Sequence, residues 1–319
     1  MRVGLRVFVF FSLLASVLAC AQQDQPPPLA TPAANNVAET SDAASLPDLK
    51  PDANGSLSQE QMQHLFRVVA DKDIENDKRL RDYTYIERDE EHKLDGKGRL
   101  KSTEVKTYEV MELYSEQVQR LTEKDDKPLD SKEAAKEEEK IQKILDKRKN
   151  ESEDARKKRE QKEEKERAEG RQFVHEVADA YNFYLTGTES LGGRDAWVID
   201  ADPRPGYEPH MKDAKFLPKF RFRAWIDKTD AQWAKLDIEC MDTVSVGLFL
   251  ARIHKGSRIV IEQTRVNDEV WLPQHVAVKV DARLALLKEY NVEQEQTFRD
   301  YKKFRATTRI LAVEDVQKK

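Results

Sequence analysis

The chain has 319 residues and a formal net charge of −5, with 55 basic and 60 acidic side chains. So even a balance supplies no basic face, and nucleic acid is not expected as a partner. Its two cysteines, Cys20 and Cys240, exclude a disulfide framework.

In chain order, Arg2 and Arg6 come first and lead into a charge-free apolar run at residues 7–19. That run is short of the roughly 20 apolar residues a bilayer-spanning helix takes, and the layout is that of a secretory signal. Val17-Leu18-Ala19-Cys20 resembles a bacterial lipobox, in which Cys20 is lipidated and becomes the first mature residue. Ordinary cleavage after Ala21, at Ala19-Cys20-Ala21, is the alternative. The small residue directly before the cysteine favours the lipobox, and so does the polar Pro-, Ala- and Gln-rich sequence that follows. Such a composition buries too little apolar surface to fold and makes a tether. The expected layout is a signal at 1–20, a tether at 21–57, a folded domain at 58–312 and a tail at 313–319.

Ser58 and Gln61 have capping-box spacing, and Met62, Leu65, Phe66 and Val69 then recur at helical intervals. Ile74 and Leu80 extend this stripe. Tyr83-Thr84-Tyr85-Ile86 and residues 103–113 are rich in β-formers, with Asp95-Gly96-Lys97-Gly98 as a hairpin turn. The composition changes abruptly at 131–170, SKEAAKEEEKIQKILDKRKNESEDARKKREQKEEKERAEG. Glu139/Lys143, Glu153/Lys157, Asp154/Lys158 and Glu163/Arg167 have the favourable i,i+4 order of a helix. Only Ile141, Ile144 and Leu145 are large and apolar, too few for a coiled-coil seam. A solvated helix or a disordered arm is expected, inserted into the domain and open to a protein partner.

After a short amphipathic stretch (Phe173, Val177, Ala180, Tyr181) the chain becomes β-rich. In KFRFRAWID, Phe220, Phe222, Ala224 and Ile226 alternate with Arg221, Arg223, Trp225 and Asp227. In QWAKLDIEC, Gln232, Ala234, Leu236, Ile238 and Cys240 alternate with Trp233, Lys235, Asp237 and Glu239. Period-two alternation marks antiparallel strands with one buried and one wet face. Cys240 falls on the buried face and is expected as a small hydrophobe. SRIVIEQTRV, a turn at Asn267-Asp268, EVWLPQHVAVKV and NVEQEQTFRDYKKF continue the series. The expected fold class is α+β: a curved antiparallel sheet, an incomplete β-barrel, packed over helices with a long charged insertion.

Gly187 and Gly192 have the spacing of a phosphate loop, but the context is wrong. A phosphate loop enters a helix and follows its second glycine with lysine and Ser/Thr. Here Gly193, Arg194 and the strand-like AWVIDADP follow. Gly192-Gly193 is therefore expected as a hairpin turn.

The stretch FYLTGTESLGGRDAWVIDADP resembles the central hairpin of the LolA/LolB-like superfamily of lipid and lipoprotein carriers. A second hairpin is similar at Ala224-Trp225-Ile226-Asp227-Lys228 and Lys235-Leu236. The similarity covers residues 57–304 in layout and 186–236 in residues. It implies an incomplete barrel with an apolar cavity for acyl chains, an exported protein at the periplasmic face of the envelope, and an outer-membrane anchor. Departures are the charged insertion and the extended C-terminal strands.

The six histidines are scattered and no Cys-x-x-Cys or G-x-S-x-G occurs, so neither a metal, another cofactor nor an enzymatic activity is expected. Asp200/Asp202 and His175-Glu176 are expected to be ordinary surface pairs. Phe220, Phe222, Ile226, Leu236 and Ile238 are candidate cavity walls, with ordinary core packing as the alternative. The apolar run 246–250, with Leu248, Phe249 and Leu250, is a candidate lining, gate or lipid contact. The functional expectation is a non-catalytic carrier or sensor for a lipid or acylated lipoprotein, membrane-held through lipidated Cys20. The alternative is a structural or interaction lipoprotein with a filled core, whose charged arm meets a protein.

Overall fold

The computed structural model describes residues 48–303 apart from 115, 212–213, 247–250 and 285–287. Cys20, most of the expected tether, the tail, and Leu248, Phe249 and Leu250 therefore lie outside the described residues. The last part of the stretch expected as tether is folded. Leu49 is buried in the core, Asp52 Oδ1 accepts from the backbone of Asn54 and Ser56, and Ser56–Leu57 forms strand β1.

Helix α1 (Gln59–Leu80) starts at the expected capping box: Ser58 Oγ accepts from Gln61 N, and Gln61 Oε1 from Ser58 N. Strands β2 (Tyr83–Leu94), β3 (Leu100–Leu113), β4 (Glu116–Lys124) and β5 (Lys127–Pro128) then form a meander. Helices α2 (Ser131–Lys149) and α3 (Glu153–Ala180) follow, capped by Asp130 and Ser152. The remainder is β6 (Tyr181–Leu191), β7 (Arg194–Pro203), β8 (Phe220–Asp227), β9 (Trp233–Cys240), β10 (Val244–Val246), β11 (Ala251–Ile253), β12 (Arg258–Val266), β13 (Val270–Leu284) and β14 (Lys288–Lys303).

These strands make one 14-stranded sheet, with the order β1-β6-β7-β8-β9-β12-β13-β14-β2-β3-β4-β5 and with β10 and β11 appended to β13. The pairings are antiparallel, and β1 does not meet β5, so the sheet is curved and not closed into a barrel. Its inner face holds α1 and the C-terminal half of α3. Met62, Leu65, Phe66 and Val69 of α1 and Ala178 of α3 join Phe183, Ile199, Ala224, Ile226, Ile261 and Leu272 in one core. The outer face of β7–β9 and β12 is wet and carries cross-strand ion pairs such as Arg223–Asp200 and Lys235–Glu262.

The charged 131–170 segment is helical, and its first helix has a structural task. The β4 edge away from β3 has backbone groups that only β5 could pair, and β5 is two residues long. Along that edge Glu137 Oε2 accepts from Leu121 N at 3.2 Å, and Lys140 Nζ donates to Gln119 O at 3.3 Å. Buried Ile141 lies between these contacts and the helix end. An unpaired strand edge is a template for aggregation, and α2 covers it with charged side chains. At the α2–α3 corner, Glu151 is gripped by Arg148 at 2.9 Å and Arg159 at 3.1 Å. The first turns of α3 project into solvent.

Candidate functional site: an apolar cavity between two helices and the sheet

The Gly192-Gly193 turn sets the frame of the site. Both glycines have positive φ, +58° and +80°, as a two-residue hairpin turn with the twist of its strands needs. The turn delivers Arg194 to the start of β7, where it forms a bidentate pair with Asp227 at the end of β8: Nε to Oδ2 at 2.7 Å and Nη2 to Oδ1 at 2.8 Å. Asp227 is 1% exposed and also accepts from Thr229 N and Asp230 N. Burial pushes its carboxyl upward, but Arg194 and the two backbone donors outweigh that and hold it below the usual range. Asp230 in turn accepts from Trp271 Nε1 and pairs with Arg265 Nε. The network ties β7, the β8–β9 turn, β12 and β13 together at one end of the half-barrel.

On the concave side of this frame is a half-open apolar cavity of about 160 Å³. Its walls come from α1 (Phe66, Val69, Ala70, Asp73), α3 (Phe173, Val174, Val177), β8 (Phe220, Phe222, Ala224, Ile226) and β9 with β12 (Trp233, Leu236, Ile238, Ile261). Tyr181 and Leu217 complete it. The five described wall candidates, Phe220, Phe222, Ile226, Leu236 and Ile238, are brought together here. Aromatic edges stiffen the wall: Tyr181 meets Phe222 at 4.9 Å between ring centroids, and Phe66 meets Phe183 at 5.2 Å. Burial pushes the Tyr181 phenol up, and it donates to Leu217 O at 2.8 Å.

Leu217 belongs to the connection between β7 and β8, which passes over the end of α3. Glu176 of α3, 7% exposed, holds this connection by accepting from Tyr207 OH, His210 N and Met211 N. His175-Glu176, expected as a surface pair, is thus half structural, because Glu176 is a buried clamp. Asp200 pairs with Arg223 on the outer face. Strands β10 and β11 add Val244 and Ile253 to a cluster with Phe220 and Ile238, directly behind the cavity wall. Cys240, fully buried in that cluster, gives its thiol to Asp242 O, and burial pushes its pKa up.

Two departures from simple periodicity shape the site. The alternation of β9 places Trp233 on the wet face with Lys235 and Asp237, yet it lines the cavity and is 7% exposed. A register shift opposite Trp225/Ile226 inserts one extra residue into β9 and turns Trp233 inward. Trp225, also on the expected wet face, packs with Ala196 and Val198 on the outside of the sheet beneath Lys235. In α1 the described buried positions after Val69 are Asp73, Asn76 and Leu80, whereas Ile74 is half-buried. The expected stripe holds at Met62, Leu65, Phe66, Val69 and Leu80, but between Val69 and Leu80 the buried face passes through the polar Asp73 and Asn76 and not through Ile74.

Asn76 has a clear role. Strand β13 pairs with β14 only from His275 onward, which leaves the Trp271 backbone open on that side. Asn76 Nδ2 donates to Trp271 O and Asn76 Oδ1 accepts from Trp271 N, both at 2.6 Å. One side chain thereby stands in for a missing strand and pins α1 across the sheet.

No family model and no curated relative matches the sequence. Among solved structures, the fold is similar to an outer membrane lipoprotein-sorting protein domain from Vibrio parahaemolyticus, at 10% identity and a TM-score of 0.31. That match covers 78% of this chain and 98% of the other. It is also similar to a LolA-superfamily protein from Nitrosomonas europaea (9% identity, TM-score 0.27, 76% and 94% covered). A DUF1329-family protein from Desulfovibrio piger is similar at 8% identity and a TM-score of 0.27, with 77% and 94% covered. Structures of the class that the hairpin sequence resembles are therefore among the similar folds, at a likeness too low to carry a function.

Proposed function

We propose that this chain is an exported envelope lipoprotein, anchored through Cys20 to the outer membrane, that holds an acyl chain of a lipid or acylated protein between α1, α3 and the concave sheet. It acts as a carrier or sensor and does no covalent chemistry. The observation that carries the proposal is the half-open cavity, whose described lining is apolar apart from Asp73.

A void of about 160 Å³ compares with the engineered cavity of about 150 Å³ that accepts benzene. It therefore holds about six carbons, worth roughly 5 kcal/mol gross at ~0.8 kcal/mol per CH₂. Established ligand pockets run from about 300 Å³ upward. A complete acyl chain thus requires α1 and α3 to part, and the contact to open is the helix–helix seam. Beside the cavity that seam is apolar, with Phe66, Val69 and Ala70 of α1 and Phe173, Val174 and Val177 of α3. Across its other end Gln63 Nε2 donates to Asp179 Oδ1 at 2.7 Å and Gln59 Nε2 donates to Ala178 O, so parting the helices near the cavity leaves these two bonds as the hinge or breaks them.

The interaction reading draws its support from the exposed first turns of α3. Their charges are largely satisfied within the helix, through pairs such as Arg156–Glu160 and Lys162–Glu166, and α2 is engaged on the β4 edge. The acyl-chain reading is therefore preferred.

The test is native mass spectrometry of the full chain after mild extraction, in wild type and Cys20→Ala forms. The expected result is a non-covalent lipid mass on both, with the covalent acyl mass on wild type alone. A bare chain that also fails to take up the neutral dye N-phenyl-1-naphthylamine would overturn the carrier reading. Unchanged membrane retention of Cys20→Ala would overturn the anchor.

A further inference from the structure

We infer that a second, polar pocket beside the apolar cavity binds an uncharged, polyhydroxylated ring of monosaccharide size. Two sources carry such a ring, a free sugar or cyclitol and the headgroup of a lipid. The polar pocket does not depend on the acyl-chain reading above.

The pocket lies further along α1. Residues 66, 69, 70 and 73 line the apolar cavity, whereas residues 72, 75, 76 and 79 line a half-open void of about 200 Å³ against the β8–β9 turn. Three cations, Lys72, Arg79 and Arg265, and three carboxylates, Glu75, Asp230 and Glu269, surround it. Gln232, at the end of that turn, is different in kind. It lines the pocket, is 3% exposed, and its Oε1 is buried with no hydrogen-bond partner among the described residues. A buried amide oxygen without a donor weakens the fold, and a ligand that brings the donor removes that penalty.

The walls select the chemistry of that ligand. Their charges are already matched: Arg79 pairs with Glu75 and Arg265 with Asp230, both at 2.7 Å, Lys72 with Glu75 at 3.5 Å, and Glu269 with Lys303 at 2.6 Å. A charged guest has to compete with an existing pair, and a neutral guest does not. Carboxylate oxygens and the Gln232 amide oxygen accept hydrogen bonds, while guanidinium and ammonium groups donate them. A hydroxyl answers both, since it carries one donor and two acceptor lone pairs. Trp271 adds an aromatic wall, held by its Nε1 on Asp230 and by Arg194 over its ring at 5.6 Å, which suits the C–H faces of a hydroxylated ring. The size agrees. A cavity of about 150 Å³ accepts benzene, so this larger void takes a six-membered ring with its hydroxyls.

The test is isothermal titration calorimetry of the full chain with myo-inositol, methyl β-D-glucopyranoside and octyl β-D-glucopyranoside, the last below its micelle concentration. Glucuronate and, at slightly acidic pH, protonated glucosamine are the charged analogues. At least one neutral probe is expected to bind, at least about tenfold tighter than either charged analogue. In Gln232→Leu that binding is expected to fall at least about tenfold, while Tm holds or rises because leucine needs no donor. A glutamine with a purely structural role would instead lose stability on replacement. Octyl glucoside binding at least about tenfold tighter than the methyl glycoside, and weakened in Gln232→Leu, assigns a lipid headgroup; equal binding of the two assigns a free sugar. Failure of every neutral probe to bind, a charged analogue binding as tightly, or wild-type affinity in Gln232→Leu overturns the inference. If Gln232→Leu does not fold, the ranking of neutral over charged probes on wild type decides. Uptake of N-phenyl-1-naphthylamine without binding of any sugar defeats this inference and leaves the acyl-chain reading standing, which separates the two failures.

Discussion

Replacing Ala224 by leucine sets cavity volume against binding. Ala224 is 2% exposed on β8, in the cavity wall between Phe222 and Ile226. Leucine adds three carbons to a void that holds about six. Burying them contributes about 2.4 kcal/mol at ~0.8 kcal/mol per CH₂, and an imperfect fit costs about 1–3 kcal/mol. The net stability change is then within about 1.5 kcal/mol of zero, a Tm shift within about 6 °C for a domain of this size. Binding takes the whole loss, because three carbons of ligand no longer fit, and about 2.4 kcal/mol is roughly a 50-fold weaker affinity. The assays are calorimetric melting and displacement of bound dye by N-methyldodecanamide, both on the full chain. Ala196→Leu is the control, being 1% exposed but on the outer face of the sheet beside Val198 and Trp225. It should disturb packing and leave affinity alone. Wild-type affinity in Ala224→Leu, or an equal loss in both variants, would refute the placement of the ligand.

Three further outcomes follow from the frame of the site. Asp227→Asn removes the carboxylate from a buried pair with Arg194 and should destabilise by about 3–5 kcal/mol at pH 7 in urea unfolding. Because the folded carboxyl titrates below its unfolded value of about 3.9, its contribution is full above that pH and is lost as pH falls through the folded value. The gap between wild type and Asp227→Asn should therefore narrow below about pH 4; a gap that stays constant there would refute the pairing. Asn76→Leu strips partners from the Trp271 N–H and C=O and should cost about 2–4 kcal/mol, and a cost under about 0.5 kcal/mol would show that the pin is dispensable. Glu137→Ala with Lys140→Ala uncovers the β4 edge and should shift the chain toward oligomers in sedimentation velocity, whereas an unchanged distribution would contradict edge protection.

Much of this was legible because local rules and the tertiary structure agree. Ser58/Gln61 start a helix, Gly192-Gly193 supply the positive φ of a hairpin, and Phe220-Phe222-Ala224-Ile226 line one face of a strand, each for a reason contained in a few residues. The helical half of the cavity was less visible. Phe173 and Val177 are an obvious amphipathic pair, but only packing shows that they face β8 across a void. Trp233 was hidden by a bulge, since one extra residue reverses every face beyond it. Asp73 and Asn76 were hidden because a stripe is sought among apolar residues, and here its buried positions turn polar where α1 meets the cavity and the open backbone of β13. The task of α2 depends on which strand ends the sheet, a property of the topology that no charge pattern encodes.

The most direct measurement is photolabelling of the full chain with a dodecyl amide bearing a diazirine near the chain end, followed by mapping of the adducts on peptides. Adducts should concentrate on residues 66–73, 173–177 and 220–238, which form the walls of the cavity, and should disappear in Ala224→Leu. Adducts spread over the outer face, or gathered at exposed Leu100 and Tyr114, would contradict a chain held inside the half-barrel.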